Sequence, residues 1–449
     1  MSTTNTSPST STTGGGCPFH RGEDDTLSLL RLGYRFLPTL REERTGADDD
    51  RPFRFGLLGR RAHALRGSGA VPTFYDPELI ERHGAMPTPI QGSLFGKGSV
   101  HSLDGEPHLA RKELFVAVCY EQEQVDRIKP LVEAEVREAV ARWAKYPETV
   151  YDAMVIAYGR ASLRWAGIEG PDSELDVQAK RLGDIVEGFG HVNLDHARAW
   201  VDRYRTDAWF ARLIREQRSG RRTAAPGTAL HEWAAYREPD GTLLDPRTAG
   251  LELQNCIRPH VAVARFAAFA AKNLVENPEW LERVREETAS RGGTLTDGPV
   301  AQAVAQEVRR LSPFVPMLPA FARTDFEVDG EQIVAGDRVV LDVLGTNTDP
   351  TAWSAPEVFD PERFLGTSKA EAEANASFIP QGGADVHTGH RCPGERIVVD
   401  SLTTTVAALC LPEVELSRAG LDVDLETMPT MPRSGAVVRT RREGVPASA

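Results

Sequence analysis

Residues 378–395 read FIPQGGADVHTGHRCPGE, and the chain then turns at once into RIVVDSLTTTVAALCL, an apolar helical pattern. Gly382, Gly383, Gly389 and Gly394 mark the first stretch as a loop. Cys392 therefore stands at a loop-to-helix junction, facing the positive end of a helix dipole and backbone N–H groups. Both favour thiolate over thiol. A soft metal ligand must be a thiolate, and an axial cysteine is one way of holding heme iron. Two other readings stay open on these residues alone. A cysteine among glycines is commonly just a small buried side chain. His387, His390 and Cys392 also crowd together as zinc ligands would, although structural zinc sites usually show a second ligand pair and none is visible here.

The loop resembles the heme-binding signature of the cytochrome P-450 superfamily: Phe378, a glycine, the basic Arg391, Cys392, and Gly394 two places on. Phe378 and Cys392 stand further apart than in most of that superfamily. The longer form, with PQGG and GHRC, is similar to the bacterial fatty-acid peroxygenases and decarboxylases that use hydrogen peroxide. The resemblance implies a mainly α-helical fold with small β-sheets. It implies heme b between a long central helix and the cysteine loop, with Cys392 as the iron's axial ligand and Arg391 beside the cofactor.

Composition narrows the alternatives. The chain has 449 residues and 41% hydrophobic content, enough for a sizeable core, and its net charge of −13 argues against nucleic acid or an anionic membrane surface as partner. Cys17, Cys119, Cys256, Cys392 and Cys410 are scattered, without a CxxC pair, which fits a reducing compartment. The start carries no signal-peptide pattern, and the apolar run at 261–271 contains Arg265 and is too short to span a bilayer. A cytoplasmic protein is expected. Residues 1–16, largely Ser, Thr and Gly, are expected to be a disordered tail, and 17–449 one heme domain.

Along the chain, residues 26–68 alternate helical and strand patterns, and a helix is expected to start near Asp76. His108, Arg111 and Lys112 lie close together in HLARKELFVAV, which reads either as a solvated basic face or, by the resemblance, as the helix that binds the heme propionates. Helical periodicity dominates 122–215. The segment 185–200, with Phe189, reads as a helix end and loop that by resemblance covers a substrate channel. Its run differs from the subgroup's, so a different chain-length preference is expected. Residues 217–247 read as a polar connection.

Residues 248–275 form the longest apolar helical pattern, the mark of a buried helix, with Arg258 and Pro259 inside it. The proline should kink or open the helix at that turn. A guanidinium so placed keeps its charge and needs an anion, with Glu252 or a propionate as the ordinary candidates. In the peroxygenase subgroup an Arg-Pro pair occupies this place, which implies that Arg258 binds a substrate carboxylate. The superfamily's acid–alcohol pair for proton delivery is missing, because the turn reads Ile257-Arg258-Pro259-His260. A bound carboxylate could then serve as the acid–base itself. His260 should lie on the other side of the helix.

Glu307 and Arg310 sit one turn apart in AQAVAQEVRRLSPFVPM, an ordinary helix pair on its own. With Arg363 of PERF they resemble the superfamily's structural triad behind the heme. Period-two alternation around Gly330 and Gly336 reads as short hairpin strands. The resemblance also implies a pocket of Leu94, Phe95, Val100, Phe189, Phe314 and Val315, the last narrowing it where relatives can have glycine. His101 could equally be a loop histidine bonded to backbone; by resemblance it sits above the iron, steering hydroxylation against decarboxylation. The whole implies fatty-acid hydroxylation at Cα or Cβ, or decarboxylation to a terminal alkene, without a redox partner. An oxygen-dependent monooxygenase and a non-catalytic heme protein are the rivals.

Overall fold

The computed structural model describes residues 24–188 and 194–440, without the side chains of 194–198. The expected N-terminal tail and Phe189 lie outside these residues. Spacing of apolar residues explains the main helices: α1 (Gly105–Cys119), α2 (Gln122–Trp143), α3 (Val150–Trp165), α4 (Asp172–Glu187), α5 (Leu194–Arg218), α6 (Pro246–Ala262), α7 (Ala264–Glu276), α8 (Pro299–Leu311) and α9 (Glu395–Leu409). On α2, for example, Val125, Ile128, Val132, Val136, Ala139 and Trp143 form one buried stripe. Asp245 caps α6 by accepting from the Arg247 and Thr248 N–H groups, with Pro246 at the first helical position. The stripes of α2, α3, α7, α8 and α9 close on one another in the main apolar cluster.

A mixed sheet flanks this helical body. Its strands are β1 (Phe53–Leu57), β2 (Arg60–Leu65), β3 (Ile80–Glu81), β4 (Met317–Ala322) and, further on, β7 (Arg338–Asp342), in the order β1-β2-β7-β4-β3. Only β2 and β7 pair in parallel. Between β4 and β7 lies the expected hairpin, β5 (Phe326–Val328) and β6 (Glu331–Ile333). Its turn is Asp329-Gly330, both at positive φ, the geometry that matches the twist of the flanking strands.

Three expectations need correction. No helix starts at Asp76: its carboxylate accepts from the Glu78 N–H, a turn, and Ile80 then pairs with Ala322 of β4. The connection at 217–247 contains a helix, Ala229–Ala235, because Leu230 and Trp233 find apolar cover that local polarity does not reveal. The central helix does break, but not at Pro259. α6 continues to Ala262, and the interruption falls at Val263, whose N–H turns back to the His260 carbonyl at 3.2 Å. Among the described residues no helix is long and apolar enough to cross a membrane.

His260 lies away from Arg258, as about 100° per residue requires. It is buried between α3 and α9, with Nδ1 2.6 Å from the Ser162 hydroxyl, Nε2 2.8 Å from that of Ser401, and its ring stacked on Tyr158. Burial pulls its pKa to about 3, so it is neutral in the fold. In the unfolded chain it would titrate near 6.5. Between those values the unfolded state holds the extra proton, so His260 costs stability as pH falls below about 6.5. Denaturant unfolding of wild type and His260→Gln between neutral and mildly acidic pH should show it. The wild type loses about 1.4 kcal/mol per unit more than the variant. Parallel pH dependences would show that His260 is charged in the fold.

Candidate active site

The cysteine loop is held from behind before it can hold anything in front. Cys392 N–H donates to the Gln381 carbonyl at 3.1 Å, and the Gln381 side-chain nitrogen lies 3.9 Å from the sulfur. Gln381 is fixed in turn by Arg309 at 3.0 Å, and Arg309 and Arg391 converge on Glu395. Gly382 is required here: its φ is +94°, and a Cβ would sit 2.9 Å from the Tyr75 hydroxyl. Sequence reading overlooked Arg309, Gln381 and Glu395; the doubled arginine of EVRR was the available signal.

The Cys392 thiol departs from expectation. Burial pushes its pKa up, outweighing the Gly394 N–H and the positive charges of Lys112 and Arg309. The helix start alone does not make a thiolate; a bound cation would have to complete it. That cation is not zinc held by neighbouring histidines. His387 is exposed, His390 stacks on His108 with centroids 4.0 Å apart, and no three metal-ligating side chains converge among the described residues.

The basic residues of α1 divide into two faces. His108 and Lys112, one turn apart and both buried, point to the cysteine loop, where the Lys112 ammonium donates to the Arg391 carbonyl. Arg111 does not join them, contrary to the expectation that it binds the cofactor. It lies on the adjacent stripe and is committed to Glu252 at 3.0 Å, Glu238 at 2.5 Å and the Gly98 carbonyl. Glu252, an expected partner of Arg258, is thereby taken, and also accepts from the Val100 N–H at 2.8 Å.

These surroundings fit heme. One nitrogen each of Arg82 and Arg391 is buried without a partner, next to Lys112 and His108, which leaves donors for two propionates. Cys392 would supply the sulfur that holds the heme iron. Arg82 is another residue that sequence reading missed, its loop position giving no periodic signal. A Lys112→Gln variant is expected to release heme roughly tenfold faster to apomyoglobin, as the loss of one charge-assisted hydrogen bond implies. An unchanged transfer rate would remove Lys112 from the set.

On α6, Arg258 is 3% exposed. It donates to the Asn255 side chain at 3.0 Å and lies 5.5 Å from the centre of the Phe95 ring. Its Nε has no partner, and no carboxylate among the described residues pairs with it. Burial first, then the neighbouring Arg203, draw its pKa down to about 9, which leaves it charged at neutral pH. Pro259 follows it, half-buried inside the helix. His101 also packs on Phe95, its ring tilted by 36° with centroids 4.4 Å apart. Burial and the charge of Arg258 hold His101 well below its usual pKa, and its Nδ1 is buried without a partner.

The other pocket residues divide. The Leu94 and Phe95 carbonyls are bound by Arg203 of α5. Phe314 packs on Phe266 of α7, the rings tilted with centroids 4.5 Å apart, whereas Val315 packs with the sheet's apolar cluster. Behind the cysteine loop, Glu307 receives both Arg310 donors at 2.7 Å and Arg363 stands at 3.5 Å.

A half-buried cysteine at the head of α9, together with a central helix that carries a buried arginine, is the arrangement expected of the heme-thiolate class. The family model described as cytochrome P-450 matches residues 266–403. The chain is similar to cytochrome P-450SP alpha, solved in complex with (R)-ibuprophen: 36% identical, covering 93% of this chain and 98% of that one, with a TM-score of 0.84. It is similar also to a variant of cytochrome P-450 OleT in complex with arachidonic acid: 30% identical, covering 95% and 99%, TM-score 0.85. Cytochrome P-450 137 of Mycobacterium tuberculosis is 24% identical over 78% of this chain and 74% of its own length. The chain belongs to the cytochrome P-450 family, in the peroxygenase and decarboxylase subgroup that its cysteine loop resembles.

Proposed function

We infer that this protein uses hydrogen peroxide to hydroxylate fatty acids at Cα or Cβ and to decarboxylate a share of them to terminal alkenes. One observation carries the reading: Arg258 is a buried cation on the central helix with no carboxylate partner among the described residues. The head group of a fatty acid is the anion it lacks. The ligands of the two similar structures, ibuprofen and arachidonic acid, are both carboxylic acids.

Heme b, when bound, supplies the iron centre at which peroxide oxygen becomes an oxidant of C–H bonds. The chain's residues do the rest. Arg258 grips the carboxylate with parallel donors and sets Cα and Cβ at a fixed depth. The carboxylate, held in place, moves a proton from one peroxide oxygen to the other, the task for which Ile257-Arg258-Pro259-His260 has no acid–alcohol pair. Phe95 keeps water from the head group. Neutral His101 stands by with an unpaired nitrogen that can donate or accept a proton. Hydroxylation yields hydroxy acid and water. Decarboxylation removes a Cβ hydrogen and the carboxylate together, giving alkene, carbon dioxide and a second water.

No reductase is needed on this reading. Residues 17–449 act as one heme domain, and the free cysteines among the described residues suit the cytoplasm. The test is gas chromatography of products from ferric protein, hydrogen peroxide and a saturated long-chain fatty acid without reductase. Hydroxy acid or alkene is expected. No product from any carboxylic acid, with turnover restored by a reductase and oxygen, would return the protein to the oxygen-dependent class.

A further inference from the structure

The Phe95 ring is in contact range of both Arg258 and His101, and it ends a single short turn, Gln91–Phe95, closed from within by the Gly96 N–H donating to the Gln91 carbonyl at 2.7 Å. A further hold comes from a distant helix. Arg203 of α5, 2% exposed, donates to the Leu94 carbonyl at 2.9 Å and reaches the Phe95 carbonyl at 3.5 Å. These are acceptors that the end of the turn leaves open, so Arg203 caps the turn from outside.

The cap is itself oriented. Arg203 Nε lies 2.8 Å from Asp207 one turn on, and Gln254 of α6 donates to the same carboxylate at 3.2 Å. Gly96 closes the turn at φ +85°, where a Cβ would fall 2.3 Å from the Arg203 nitrogen. The residue after Phe95 is thus glycine for conformation and for room. The Phe95 carbonyl also accepts from Asn255 at 3.3 Å, and Asn255 holds Arg258. Arg203 and Arg258 are therefore linked through one carbonyl and one amide.

We propose that Arg203 is a specificity-determining positioning residue: by capping the 91–95 turn it fixes Phe95 against Arg258 and His101, and so sets whether Cα or Cβ of a bound fatty acid is oxidised. This rests on the carboxylate reading of Arg258. A fork is needed, because two carbonyls and a carboxylate must be met at once. Lysine would keep the charge and lose the cap.

Two variants of the heme-loaded protein separate the contributions: Arg203→Lys, and the charge-balanced pair Arg203→Gln with Asp207→Asn. Three quantities are read: amide hydrogen exchange over residues 91–96, the calorimetric Kd for myristate, and the ratio of Cα to Cβ products with peroxide. In both variants, exchange over 91–96 is expected to rise roughly tenfold while the helical core keeps its protection. The product ratio should shift severalfold, and the Lys variant should keep the tighter Kd of the two. Unchanged exchange over 91–96, acceleration spread evenly over the protein, or a product ratio equal to wild type would each overturn the proposal. If the wild type makes no product with peroxide, the peroxygenase reading falls, and exchange and Kd still decide whether Arg203 positions the turn.

Discussion

Arg258→Ala is expected to lower kcat/KM for a fatty acid by about a thousandfold, ~4 kcal/mol, when product formation is measured at limiting substrate with peroxide. Two losses combine in that figure. The head group loses its charge-assisted donors, and the carboxylate is no longer placed to transfer the peroxide proton. Arg258→Lys should fall between, since a point charge attracts the head group without fixing its orientation. The same substitution should act on stability in the opposite direction. A charged guanidinium at 3% exposure with an amide and a ring for neighbours is a cost that the substrate-free fold carries. Arg258→Ala should therefore raise the stability of the substrate-free protein, by about 1–3 kcal/mol. Fatty acid should raise the melting temperature of the wild type and leave that of the variant where it is. A variant less stable than wild type, with activity intact, would make Arg258 a structural residue.

Glu307→Ala carries the largest expected effect on the fold, a loss of about 3–5 kcal/mol in denaturant unfolding. Glu307 and Arg310 are fully buried, and their paired 2.7 Å bonds leave little room for water to compensate. Removing the carboxylate strands Arg310 against the carbonyls of Asn347, Pro356 and Val358, and frees the Asp360 N–H that Glu307 accepts. Arg363→Ala should cost far less, about 1 kcal/mol, because its guanidinium stands 3.5 Å away and is less enclosed. Equal losses for the two variants would mean that the network shares its charge evenly, against the geometry.

The calculation that fails in the sequence is burial. At Cys392 the loop-to-helix junction was legible, and so was the dipole argument for thiolate; the desolvation that outweighs it depends on how deep α9 begins in the core. Pro259 was legible as a breaker, but the helix carries it inside and is interrupted only at Val263, where the chain turns back to the His260 carbonyl. Arg111 and Lys112 are adjacent letters, and only the facing of α1 shows one meeting Glu252 and the other the cysteine loop.

The sequence by itself determined the helical class, the family, the place of Cys392 at a loop-to-helix junction, and a buried arginine in need of an anion. Those follow from residue type, periodicity and order along the chain, which are local properties. Tertiary structure alone decided which acid was already spent, that Arg82 and Lys112 meet around His108 and His390, and that Arg203 reaches Phe95 from a helix more than a hundred residues away. Those are matters of which groups meet out of water. A buried charge is answered by whatever the fold brings within hydrogen-bonding distance, and no spacing in the sequence records that distance.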